Sequence, residues 1–268
     1  MSVVIVIPAR FASGRLPEKM LLSQTGKPLI QHTYEQALKS KLAARVLIAT
    51  DDARIENAAK TFGAEVVMTS PNHSTGTDRL SEVATRYLNN ADMIVNVQGD
   101  EPEIEPEKID NLIRLFQASD AAMGTLVTRF SNSHHEGPGS PADPNCVKAV
   151  LGAPIQHPTS QETLGYEALY FSRSLIPFPR EENGFIKNPS DYFMHLGIYS
   201  YRPDFLKHYV NLTPGRLEQI EKLEQLRVLE NGFKIVAGVV TEATPGIDTL
   251  ADYQSFVTRY NKRLLNHV

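Results

Sequence analysis

Short, nearly continuous runs of β-branched and apolar residues recur at 3–7, 46–49, 93–97 and 124–127, and each is followed or preceded by a stretch of different periodicity. Strands covered on both faces read in this unbroken way, because neither side of the pleat meets water. The intervening segments 29–42, 55–62, 80–88 and 109–116 carry apolar residues at mixed three- and four-residue spacing, the pattern of helices with one buried face. Strand and helix therefore alternate through the first half. That order predicts an α/β fold with a mostly parallel central sheet, flanked by helices and joined by right-handed crossovers.

Beyond residue 131 the pattern loosens. His134-His135-Glu136-Gly137-Pro138-Gly139-Ser140-Pro141 is rich in turn formers, and more prolines and glycines follow to about residue 190. Residues 131–190 are expected to form an arm inserted into a single domain spanning 1–268, a length whose 41% hydrophobic content suffices for one sizeable core. Regular structure is expected again as a strand over 195–201, a charged helix over 216–231 stopped by Gly232, and a strand over 234–240. The last helix is expected to start near Thr249, whose spacing to Asp252 suits a capping box.

Composition narrows the partners. The formal net charge of −4 leaves no global basic field for nucleic acid or an anionic membrane, so an anionic ligand must be met by local cations. Cys146 is the only cysteine, which rules out an intramolecular disulfide and a multi-cysteine metal site, and fits a reducing, cytoplasmic setting. The apolar start of the chain reaches Pro8 and Arg10 too soon for a signal peptide or a membrane span and reads as a buried strand.

Ligands of open parallel sheets bind outside the carboxyl ends of the strands, so the strand exits are the places to inspect. The first exit, Pro8-Ala9-Arg10-Phe11-Ala12-Ser13-Gly14-Arg15-Leu16-Pro17-Glu18-Lys19, sets three cations and a glycine after a buried strand. Backbone amides together with Arg10, Arg15 and Lys19 suit a polyphosphate, although neither the P-loop ending nor the dinucleotide fingerprint is present. Gln98-Gly99-Asp100-Glu101-Pro102 leaves another strand, and a carboxylate there suits Mg²⁺, which takes few protein oxygens alongside phosphate and water. Asp248 in Gly246-Ile247-Asp248-Thr249 is a second candidate ligand. Read from the residues alone, the basic loop is equally a solvated surface loop, Asp100 a helix cap and Asp248 a turn residue.

Other segments are weaker taken singly. Ser74, Gly76 and Thr77 precede a helix, where hydroxyls and amides favour an anion or a polar base edge. Arg79, Tyr170, Arg173, His195 and Tyr199 offer guanidinium, phenol and imidazole groups suited to a polyhydroxylated carboxylate. Glu218 and Glu221 share one helical face at three-residue spacing. No serine, histidine and acid order beyond chance, and no metal-spaced partners for His134-His135, point to a hydrolase or a zinc protein.

Taken in order along nearly the whole chain, these segments resemble the 3-deoxy-manno-octulosonate cytidylyltransferases, within the wider nucleotide-diphospho-sugar transferase group. The resemblance is carried by Ile5-Val6-Ile7-Pro8-Ala9-Arg10-Phe11-Ala12-Ser13, Ala49-Thr50-Asp51-Asp52, Gly76-Thr77-Asp78-Arg79-Leu80 and Val95-Asn96-Val97-Gln98-Gly99-Asp100-Glu101-Pro102. It continues through Pro144-Asn145-Cys146-Val147-Lys148, Leu169-Tyr170-Phe171-Ser172-Arg173, His195-Leu196-Gly197-Ile198-Tyr199, Leu223-Glu224-Gln225-Leu226-Arg227-Val228-Leu229 and Gly246-Ile247-Asp248-Thr249. It implies a Rossmann-like nucleotidyltransferase that moves CMP from CTP to the acidic sugar Kdo, releasing pyrophosphate, for lipopolysaccharide biosynthesis.

The resemblance also implies roles. Pro8, Ala9, Arg10, Arg15, Lys19, Ser74, Gly76 and Gln98 would hold CTP, and Asp100 and Asp248 would bind Mg²⁺. Lys19, Arg15, Asp100 and Asp248 would form the catalytic set. Arg79, Tyr170, Arg173, His195, Tyr199, Glu218 and Glu221 would surround the sugar. A homodimer paired through the 131–190 arm is implied as well. In two places the chain departs from the family pattern: Glu18 and Met20 flank Lys19 where glycine and proline are usual, and 156–165 is irregular. A cytidylyltransferase for another acidic sugar, such as a sialic acid or an amino-octulosonate, and a non-catalytic nucleotide-binding protein are the alternatives.

Overall fold

The computed structural model describes residues 1–11, 15–73 and 75–266. In chain order its first elements are β1 (Val3–Ala9), α1 (Leu29–Ala37), β2 (Arg45–Thr50), α2 (Ala53–Thr61), β3 (Glu65–Met68), α3 (Gly76–Tyr87), β4 (Met93–Asn96) and α4 (Pro106–Gln117). They are followed by β5 (Met123–Arg129), β6 (Lys148–Gln156), β7 (Thr163–Ser172), β8 (Phe193–Tyr201), α5 (Pro203–Tyr209), α6 (Arg216–Glu221), α7 (Gln225–Glu230), β9 (Ile235–Val240) and α8 (Leu250–Asn266). The chain packs as two compact units, Met1–Asp110 with Thr244–Val268, and Asn111–Ala243.

In the first unit, β3, β2, β1 and β4 lie side by side in that order, all parallel. Ile5, Ile7, Leu47, Ile48, Ile94 and Val95 are fully buried, as unbroken apolar runs in strands covered on both faces require. The helix starts are marked by side chains that satisfy otherwise unpaired amides. Asp52 accepts from the Arg54 amide at 2.8 Å, Thr75 and Asp78 form a reciprocal box, and Thr249 with Asp252 forms the expected second one. Leu16, Leu29, Ile247, Tyr253 and Phe256 form one apolar cluster, which fastens the end of the basic loop to the segment ahead of α8. A Cβ on Gly99 would stand 3.0 Å from the Pro8 carbonyl oxygen and 3.2 Å from the Met20 sulfur, so the exits of β1 and β4 approach closely only because that residue has no side chain.

The second unit is a mixed sheet in the order β8-β5-β9-β7-β6. Residues Lys148 and Ala149 of β6 also pair with Met194 and Phe193 of β8, so the five strands close on themselves. β5 runs parallel to β9 and antiparallel to β8, with the β5–β8 register broken between Thr125 and Leu126.

Several expectations change here. The turn-rich stretch 131–190 contains a long antiparallel hairpin, β6 with β7, whose tip is the irregular 156–165 segment. β3 has no counterpart in the strands expected from sequence, because its four residues Glu-Val-Val-Met are too few and too mixed to announce a strand. The single helix expected over 216–231 is two, α6 and α7, broken where Lys222 takes a left-handed φ of 55°. Gly232 does end that region, at a φ of 79°.

Candidate active site

Lys19 is the centre of the first unit's charged cluster. Its Nζ donates to Asp100 Oδ2 at 2.6 Å and to the Ile247 carbonyl at 2.7 Å, and it lies 3.5 Å from Asp248 Oδ1. The Ile247 amide in turn donates to the Asp100 carbonyl at 2.9 Å, and the Asp248 amide donates to Asp252 Oδ2 at 3.1 Å. Backbone bonds therefore fix the two aspartates next to one another, with Lys19 between them. Arg15 Nη2 reaches Asp248 Oδ1 at 3.0 Å from the outside: its side chain is 70% exposed, against 7% for Lys19. This grouping of one buried cation, one exposed cation and two partly exposed carboxylates at a strand exit offers charge of both signs, as a metal-bound triphosphate would need.

Two carboxylates with open surroundings suit Mg²⁺, which completes its octahedron with water and phosphate oxygens; among the described residues no group of three or more histidine, cysteine or acidic side chains makes a protein-only metal cage. Next in the chain, burial and then the Asp100 charge push the Glu101 carboxyl up to about 8, against the pull of Lys108. At neutral pH Glu101 is therefore an uncharged acid, and the exit carries one negative charge instead of two.

Of the other nucleotide-side residues, Pro8 and Arg10 are half-buried and Ala9 is buried, while Gln98 is half-buried at the exit of β4. Gly76 opens α3, with open space where a side chain would stand. Ser74 and the loop residues Ala12, Ser13 and Gly14 lie outside the described residues. The turn leading to α3 is held by Glu82, which accepts from the Ser70 amide at 2.8 Å and pairs with His73 Nε2 at 2.5 Å and with Arg86. Burial pushes this carboxyl up, but those three partners outweigh it and hold it at about 2.

Arg79, expected at the sugar, is fully buried. Its guanidinium donates to Asp51 Oδ2 at 2.6 Å and to the Thr69 hydroxyl, so it braces the exits of β2 and β3 and offers no exposed face.

The second unit holds the other residues expected at the sugar, and most are committed to their own chain. Glu221 accepts from the Ser172 hydroxyl at 2.6 Å and from the Arg173 amide at 2.9 Å. Arg173 donates through Nε to the Glu221 carbonyl at 2.7 Å and through Nη1 to the Pro144 carbonyl at 3.0 Å. Glu218 is buried in a two-pronged pair with Arg227, at 2.8 and 2.6 Å. His195 Nε2 lies 3.1 Å from the Thr125 hydroxyl, its ring edge-on to Phe171 and tilted to Tyr199; burial pushes its pKa down to about 4, so the ring is neutral at physiological pH. Burial, and then the charge of Glu221, raise the phenol of Tyr170.

Sequence reasoning missed Lys148. Fully buried, its Nζ donates to the carbonyls of Asp143, Cys146 and Arg173 at 2.8, 2.6 and 2.7 Å, tying the 143–146 turn to the end of β7. The available signal was a lysine flanked by Val147, Ala149 and Val150 at a strand start, where a side chain facing inward needs acceptors.

A family model described as cytidylyltransferase matches residues 4–235. The chain belongs to the cytidylyltransferase family. Among its relatives, a 3-deoxy-manno-octulosonate cytidylyltransferase of Rhodopirellula baltica is 43% identical, over 97% of this chain and 98% of the relative. A protein of the same name from Geobacter sulfurreducens is 44% identical, over 97% and 99%. A solved structure of CMP:2-keto-3-deoxy-manno-octonic acid synthetase complexed with CTP is 40% identical and superposes with a TM-score of 0.84, over 98% of this chain and 100% of that one. A cytidylyltransferase from Leptospira borgpetersenii, at 19% identity and a TM-score of 0.58 over 96% and 86%, shares the fold alone.

The cytidylyltransferase pattern makes the two departures beside Lys19 interpretable. Glu18 has a φ of 56° and is exposed, so the family's usual glycine stands at a position whose backbone is left-handed, and the glutamate side chain points into solvent. Met20 is buried beneath the exit of β4 as an apolar filler.

Proposed function

We infer that this chain transfers CMP from CTP to Kdo, forming CMP-Kdo and pyrophosphate. The observation that carries the inference is the cluster of Lys19 with Asp100, Asp248 and the Ile247 carbonyl, at a strand exit of a chain near-identical in length to cytidylyltransferases of that name. The anomeric hydroxyl of the sugar attacks the α-phosphorus of CTP in line, a new P–O bond forms, the bond to pyrophosphate breaks, and the hydroxyl proton is released to solvent. Catalysis at phosphorus is mainly positioning and charge stabilisation. Lys19 and Arg15 take up phosphate charge, and Arg10, Pro8, Ala9, Gly76, Ser74 and Gln98 frame the nucleotide. Asp100 and Asp248 would hold Mg²⁺, which supplies neutralisation of the phosphates and polarisation of the attacking hydroxyl.

On the sugar side, the half-buried phenols of Tyr170 and Tyr199 and the imidazole of His195 are the reading groups, with a neutral His195 able to donate to or accept from a sugar hydroxyl. Arg173, Glu221 and Glu218 shape that wall through the bonds described above. Arg79 acts through Asp51, from the interior.

Two further readings belong here. The homodimer is supported by apolar side chains left exposed on the arm, Leu169 at 57%, Phe178 at 62% and Phe185 at 54%. Sedimentation at micromolar protein is expected to give twice the chain mass, and a monomer would sink this reading. A cytoplasmic setting is supported by the lone, half-buried Cys146 thiol, which needs no oxidising compartment.

The assay that tests the reaction follows pyrophosphate release with CTP, UTP, ATP and GTP, each against Kdo, an amino-octulosonate and a sialic acid. Preference for CTP with Kdo is expected; preference for UTP, or for a sialic acid, overturns the assignment.

A further inference from the structure

Glu18 poses a problem for a triphosphate loop, because it sets a carboxylate next to Lys19, where the resemblance leads one to expect glycine. The structure contains an answer on α2. Arg54, in the first turn of that helix, donates through Nε to Asp52 Oδ1 at 2.9 Å and through Nη2 to Asp52 Oδ2 at 2.6 Å, a fork that fixes the plane of the guanidinium. Held so, the guanidinium carbon lies 3.2 Å from the centre of the Phe11 ring, which belongs to the basic loop. Asp52 itself is fixed in place because it also accepts from the Arg54 amide as the cap of α2. The helix packs against the turn Lys19–Leu21 that Glu18 initiates, which sets the opposite charges of Glu18 and Arg54 on neighbouring elements.

We propose that Arg54 is a positioning residue for the CTP loop, clamping Phe11 with its planar face while its charge offsets that of Glu18. The proposal rests on the reading of this loop as the CTP site. It assigns Arg54 no contact with substrate. Two separable parts follow: a stacking part, which needs a flat guanidinium over the ring, and a charge part, which needs only a cation and matters only while Glu18 is present.

Steady-state kinetics of the full chain, with CTP and Kdo varied in turn, separates them. Arg54→Ala is expected to raise the KM for CTP about 5-fold, the stacking and charge parts together, with kcat and the KM for Kdo within about twofold of wild type. Arg54→Lys keeps the charge and loses the flat face, and should raise it only about 2-fold. Glu18→Gly should reduce the effect of Arg54→Ala to about 2-fold, since no adjacent negative charge then needs offsetting. An unchanged KM for CTP in Arg54→Ala overturns the proposal, as does an equal rise in the KM for both substrates, which marks a general structural fault. An undiminished effect in the Glu18→Gly background overturns the charge part. Wild type inactive with CTP would instead overturn the assignment of the loop, so the two failures are distinguishable.

Discussion

Two charged networks differ in what their side chains are bonded to. Around Lys19 the acceptors are two partly exposed carboxylates, Asp100 and Asp248, beside one buried carbonyl, that of Ile247, and Arg15 pairs with Asp248 from outside. Around Lys148 the partners are three backbone carbonyls in a closed interior, joined at Arg173 to a glutamate whose oxygens are taken by a hydroxyl and an amide. Pairs of the first kind are open to exchange: in the proposed reaction a phosphate would replace a carboxylate on Lys19, and a metal would replace Lys19 on the carboxylates. Bonds of the second kind cannot exchange without unfolding the turn they hold. Similar residue types therefore form a partly open cluster in one region, the one proposed for the reaction, and a closed scaffold in the other, and the difference lies in burial and in the nature of the acceptors.

The largest expected effects separate the two regions by what they damage. Asp100→Asn should lower pyrophosphate release about 10³-fold at saturating Mg²⁺, the scale of losing a group that organises charge at a reacting phosphate, with little change in thermal stability. Near-normal turnover would show that Asp100 is not a ligand. Lys148→Met should do the opposite, costing about 3 kcal/mol of stability in urea titration, because three buried carbonyls lose their donor. If its midpoint stays at the wild-type value, Lys148 is not the brace described here.

Most of the first region was legible in the sequence, because its strands are unbroken apolar runs and the exits that follow them carry the charges. Asp100, Asp248, Arg15 and Lys19 could be named from position alone as candidates, although their mutual bonds could not, since the 81-residue and 229-residue separations are closed only by the fold. The second region was opaque for a physical reason. β6 and β7 lie in a stretch whose prolines and glycines mask the alternation, and one break at Lys222 converts an apparently continuous helical pattern into two helices. Arg79 shows the limit of residue chemistry: a guanidinium reads as an anion binder until its burial against Asp51 is known.

A smaller effect tests the electrostatics of the β4 exit. Glu101 has its carboxyl raised from 4.5 to about 8 in the folded chain. A raised folded value means that its stability contribution is fully present below about pH 4.5 and is lost as pH rises through 8. Glu101→Gln removes the titration, so the wild type should lose stability relative to the variant between pH 5 and 9, as read from urea midpoints across that range. Parallel curves would mean that Glu101 is ionised in the fold.

The smallest effect bears on Glu18, the charged one of the two residues flanking Lys19 that depart from the expected pattern. Glu18 holds a left-handed backbone at a φ of 56°, a conformation that costs a non-glycine residue about 1 kcal/mol. Glycine there loses more freedom on folding but meets no steric penalty, and the side chain it removes is exposed and makes no packing contribution to forfeit. Glu18→Gly should therefore stabilise the chain by up to about 1 kcal/mol. It should also lower the KM for CTP modestly, because a negative charge leaves the neighbourhood of Lys19. High salt screens an exposed charge, so the KM difference between variant and wild type should shrink as ionic strength rises, while the stability difference, which is steric, should not. A salt-independent KM difference would place the Glu18 carboxylate inside the site instead of in solvent.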